Sequence, residues 1–178
     1  MNRKPGHKVT EDDIRRYEED GVVCLRGMFD AEWIALLTRG IDRNRAEPGH
    51  RSRIYDRTDD DRTFFYDSDS WRRIGEYERF VRESPCAEVA ATLMGSNKVN
   101  LYFDAVFVRS PGQPFRTPWH QDEPYWSVDG FQTVSIWMPL VPVEKRSALE
   151  LIPGSHVWAQ KYRQLDFAEL NQIGRAHV

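Results

Sequence analysis

From Val99 onward the apolar residues change from the spacing of a helix to that of a strand, and this switch limits the folds open to the chain. Val99, Leu101, Phe103, Ala105 and Phe107 fall on one side of an extended segment, with Asn100, Tyr102, Asp104, Val106 and Val108 on the other. Successive strand side chains point to opposite faces, so a run that is largely apolar on both predicts a strand covered on both sides. "DGFQTVSIWMPLVPV" contains a second strand, in which Val134, Ile136, Met138 and Leu140 share a face and Thr133, Ser135 and Trp137 share the opposite one. "ALELIPGSH" supplies a third, ending in a Pro-Gly turn. Strands in the second half and helices in the first point to a mainly β chain with N-terminal helices, a sandwich or barrel with the helices packed outside.

The helices are marked by their ends. Thr10 precedes "EDDIRRYEED" and Gly21 follows it, which places a hydroxyl cap and acidic residues at the start and a glycine stop at the end. "VVCL" then reads as a short strand. Asp30 caps "AEWIALLTRGIDRNR", where Ile34, Leu37 and Ile41 recur at helical spacing and predict one buried face. Residues 47–69, centred on "TDDDRTFFYD", are charged and turn-rich and read as an exposed loop. Ser84 and Pro85 suit the start of a further helix through "CAEVAATLMG".

At 178 residues with 40% apolar content, the chain fits one domain: a helical part over about 10–95, a β part over about 99–158 and a tail over 159–178. A net charge of −3 gives no general attraction for nucleic acid or an anionic membrane. The N-terminus lacks the apolar stretch of a signal peptide, no run approaches the length of a membrane span, and the expected location is cytoplasmic. Cys24 and Cys86 are far apart without metal-like spacing, so they read as buried free thiols.

Chemistry concentrates in "TPWHQDEPYW", residues 117–126. In an extended strand His120 and Asp122 project side by side while Gln121 points away. An imidazole and a carboxylate so placed are two legs of the two-histidine, one-carboxylate set that holds non-haem Fe(II). A histidine two residues from an aspartate also arises by chance and serves a surface hydrogen bond. The closely spaced histidines of a zinc hydrolase and the GxSxG elbow of a serine hydrolase do not occur.

"TPWHQDEPYW" followed by "SIWMPLVPVEKRSALELIPGSHVW" resembles the phytanoyl-CoA dioxygenase family of Fe(II)- and 2-oxoglutarate-dependent oxygenases, over about residues 100–158. The resemblance implies a double-stranded β-helix, the cupin-like jelly roll, with His120 and Asp122 as iron ligands and Trp137 against 2-oxoglutarate. It implies Tyr125 and Trp126 at the mouth of a small-molecule substrate site, although packing accounts for them equally well. His156 matches a turn histidine that is not an iron ligand. The implied reaction uses O2 and 2-oxoglutarate, releases succinate and hydroxylates a substrate carbon.

The family pattern also requires a later histidine and, beyond it, an arginine for the far carboxylate of 2-oxoglutarate. After Trp158 the chain offers "AQKYRQLDFAELNQIGRAHV", a helix or coil in which His177 is penultimate and Arg175 precedes it. The expectation is therefore a jelly roll incomplete at its C-terminus, a fragment that alone catalyses coupled hydroxylation poorly. The alternative is a natural short form, a non-catalytic binding or assembly module that self-associates through open sheet edges.

Overall fold

The computed structural model describes residues 1–162. Thr10 opens α1 (Glu11–Asp20) through a reciprocal capping box: Asp13 N–H donates to its hydroxyl at 3.1 Å, and its own N–H donates to the Asp13 carboxylate at 2.9 Å. Gly21 closes the helix at φ +76°. Asp30 caps α2 (Ala31–Ala46), accepting from the amides of Glu32 and Trp33 at 3.1 Å each. Buried along α2 are Trp33, Leu36, Leu37, Gly40 and Asn44, so the predicted stripe of Ile34, Leu37 and Ile41 is rotated. Ile34 and Ile41 border the buried face rather than centre it.

The segment read as a loop is instead a hairpin. β1 (Arg53–Arg57) pairs antiparallel with β2 (Thr63–Ser68), and β2 pairs antiparallel with β3 (Ala105–Arg109), giving one open sheet in the order β1-β2-β3. Charge at the turn concealed it. Asp61 takes φ +60° there, and Thr58 N–H donates to the Arg62 carbonyl at 3.0 Å. Phe64 and Phe65 point to opposite faces and both are buried, so this strand shows an apolar doublet instead of alternation.

Three further expectations are corrected. "VVCL" is not a strand: Val23 and Leu25 pack on the cluster of Val9, Met28, Val89 and Leu93, and Cys24 is exposed, although both cysteines are free. The strand predicted from Val99 forms its ladder only over β3, where Phe107 remains 56% exposed, so it is not covered on both faces. Residues 133–140 and 148–152 join no strand; a period of two marks extended backbone, and a ladder also needs a neighbour to pair with. Among the described residues the architecture is thus helices with a small open three-stranded antiparallel sheet.

Two helices follow the hairpin, α3 (Gly75–Glu83) and α4 (Cys86–Leu93). α4 was expected, while α3 begins at Ile74 without a side-chain cap. α2 and α3 meet over Leu37, Ile74 and Tyr77, against which Met138 and Leu140 pack. Each fully buried aliphatic side chain of this kind contributes about 1.5–3 kcal/mol. A polar network ties the hairpin to α2: the buried Asp67 carboxylate accepts from Gly49 N–H at 2.8 Å, Ser70 Oγ at 3.1 Å and Arg73 at 3.2 Å. Arg73 also donates to Asn44 Oδ1 and to the Glu47 carbonyl. No helix among the described residues is long and apolar enough to cross a membrane. Arg175, His177 and the helix or coil expected around them lie outside the described residues.

Candidate functional site

β3 ends at Arg109, and a Pro- and Gly-rich turn carries the chain from there to the His-Gln-Asp motif. Ser110 N–H donates back to the Thr63 carbonyl at 2.9 Å, and Gly112 takes φ +72° to reverse direction. The Arg109 guanidinium then reaches forward, donating to the Phe115 carbonyl and, at 2.7 Å, to the Thr117 hydroxyl.

His120 and Asp122 come together. The imidazole Nε2 lies 3.0 Å from Asp122 Oδ1, and Nδ1 lies 2.8 Å from the Pro118 carbonyl. The backbone differs from the strand expected here: Asp122 has φ −74° and ψ −39°, and it opens a 3-10 turn over Glu123–Tyr125. Proline at 124 suits such a start, and the turn rather than a pleat brings the carboxylate to the ring.

A carbonyl only accepts, so Nδ1 is the nitrogen that carries a proton toward Pro118. Nε2 therefore faces the Asp122 carboxylate at 3.0 Å, a distance over which the two groups share a proton or a cation. The hydrogen bond to Asp122 raises the His120 pKa, burial opposes it, and the Pro118 carbonyl reinforces the rise. A divalent cation satisfies the same pair of atoms. The carbonyl on the second ring nitrogen is the usual means of orienting a metal-binding histidine. The donor set thus fits a metal ion in two of its positions. Among the described residues no group of three or more His, Cys, Asp and Glu side chains gathers to hold one.

Tyr125 stands edge-on to His120, with ring centroids 5.9 Å apart and planes at 88°. Trp126 closes the 3-10 turn and is partly buried. Trp137 is 50% exposed in the segment that forms no strand. His156 lies elsewhere: its Nε2 donates to the Glu18 carbonyl at 3.0 Å, and Gly154 N–H donates to the Asp20 carbonyl at 2.9 Å. The turn of residues 153–156 thereby satisfies carbonyls at the end of α1, a structural role.

Two residues around the pair escaped the sequence reading. Gln121 holds residues 160–162 beside the motif, donating to the Gln160 carbonyl at 3.0 Å and accepting from Tyr162 N–H at 2.9 Å. Lys161 joins the same contact through Glu123 at 2.9 Å and Asp129 at 3.0 Å. Both pairings link positions distant in sequence, and only the alternation that turns Gln121 away from His120 and Asp122 hinted at a separate partner.

The family model of phytanoyl-CoA dioxygenase matches residues 17–175. No curated protein and no solved structure matches the chain.

Proposed function

The chain belongs to the phytanoyl-CoA dioxygenase family, and on that premise we propose that it is a non-haem oxygenase that uses Fe(II), 2-oxoglutarate and O2 to hydroxylate a small organic molecule. His120 and Asp122 hold the metal in this reading. The observation that carries it is the 3.0 Å approach of His120 Nε2 to Asp122 Oδ1 with Nδ1 committed to the Pro118 carbonyl. When bound, Fe(II) with 2-oxoglutarate supplies the oxidation: one oxygen atom of O2 enters succinate as carbon dioxide leaves, and the other enters a substrate C–H bond.

The protein's own residues bind and orient. Pro118 fixes the imidazole tautomer, and Asp122 supplies a negative charge that favours a cation at Nε2. Tyr125 stands at the edge of the ring and, with Trp126, offers apolar surface for a substrate; Trp137 lies against 2-oxoglutarate. The family's jelly roll is the framework in which these segments would pair, and among the described residues β3 lies at the edge of the sheet.

A second reading, a binding or assembly module, draws on exposed apolar side chains such as Phe131 at 85% and Val141 at 70%. Incubating the chain with Fe(II), 2-oxoglutarate, O2 and a metabolite library, and following succinate, separates the two. Substrate-dependent succinate lost in His120→Ala supports the oxygenase. Fe(II) binding that His120→Ala leaves unchanged, together with self-association in sedimentation, supports the module.

A further inference from the structure

We infer that Arg109 is a positioning residue that clamps the segment leading into the motif, so that His120 meets Asp122. The inference rests on the metal-site reading above, and it concerns a residue outside the ligand pair.

Arg109 stands opposite Phe64 in the β2-β3 register, and its guanidinium lies 4.0 Å from the centroid of that ring. Phe64 is buried, so the guanidinium rests on a fixed floor. From there the fork reaches ahead to the Phe115 carbonyl and the Thr117 hydroxyl, skipping the turn at Gly112. The next residue, Pro118, supplies the carbonyl that orients His120. One side chain thus links the most buried strand of the sheet to the backbone group that sets the imidazole.

The geometry needs an arginine. A planar guanidinium stacks on an aromatic face while its edge donates to separate acceptors, whereas a lysine ammonium is a point charge without that fork. The near side of the turn has its own tie, since Arg62 donates to the Gly112 carbonyl. Arg109 holds the far side, residues 115–118, where the Phe115 ring also packs on Phe64 with centroids 5.5 Å apart. Removing groups that orient metal ligands weakens metal binding by about 10- to 100-fold.

The test compares wild type, Arg109→Met and Arg109→Lys by limited trypsin cleavage after the exposed Arg116, without metal. In both variants that cleavage should speed up about tenfold or more relative to the other sites, because neither side chain restores the fork. An unchanged rate after Arg116, or an equal rise at every site, overturns the clamp. Anaerobic Fe(II) titration of the same proteins should show binding weakened about tenfold in Arg109→Met. If wild type itself binds no Fe(II), the metal-site reading fails while the cleavage data still decide the clamp.

Discussion

His156 Nε2 sits 3.0 Å from the Glu18 carbonyl, so the Pro-Gly turn near the end of the described chain closes its first helix. Gly21 leaves room for it: a Cβ at that position would fall 2.3 Å from His156 Nδ1, and the backbone there has φ +76°. One lost hydrogen bond at a helix end is worth about 1 kcal/mol. His156→Ala should therefore lower unfolding stability by about that amount and leave Fe(II) affinity unchanged. A large loss of metal affinity would give His156 a role at the site.

Gly40 lies mid-helix, where alanine is ordinarily favoured by about 1 kcal/mol. Here a Cβ would fall 2.6 Å from Cε1 of the buried Tyr77 ring, where α2 and α3 meet. Overpacking of this kind costs about 1–3 kcal/mol, so Gly40→Ala should destabilise the chain despite its helix propensity. Urea unfolding measures the sign, and a more stable variant would mean that Tyr77 yields.

Asp67 is fully buried and accepts from Gly49, Ser70 and Arg73. Asp67→Ala would strand those donors in the interior, with an expected loss of about 3 kcal/mol. Denaturant titration is again the measurement. A change below about 1 kcal/mol would show that water replaces the carboxylate at little cost.

Asp104 gives the fold a pH dependence. Burial raises its pKa, outweighing the donation from Trp71 N–H at 3.1 Å. A carboxyl whose pKa is raised on folding stabilises the fold below the ordinary carboxylate range and loses that contribution as pH rises through the folded value. Asp104→Asn keeps an acceptor for Trp71 without the buried charge. It should be more stable than wild type at pH 7 and equal to it in acid, by thermal unfolding across pH. A less stable asparagine variant at neutral pH would contradict this.

What the sequence reveals here depends on whether a signal is local. Thr10, Gly21 and Asp30 act within a turn of their own residues, so α1 and α2 are legible. α3 starts at Ile74 with no side-chain cap, and β2 is buried on both faces, so neither shows its usual mark. The period of two after Val99 reports extended backbone without naming a partner, which is why one predicted strand is paired in part and two are not. At the site the spacing of His120 and Asp122 brought them into one view, while Gln121 binds residues distant in the chain, and the short 3-10 turn at Asp122 and the reach of Arg109 across a turn follow no helix or strand period.

The most direct measurement is anaerobic titration of the purified chain with Fe(II), comparing wild type with His120→Ala and Asp122→Ala. Wild type should bind one equivalent, with affinity falling as pH drops, because a metal-ligating histidine must be neutral and protons compete for Nε2. Each variant should lose tenfold or more in affinity while keeping its unfolding transition. Wild-type affinity in both variants would contradict the assignment of this pair as the metal site.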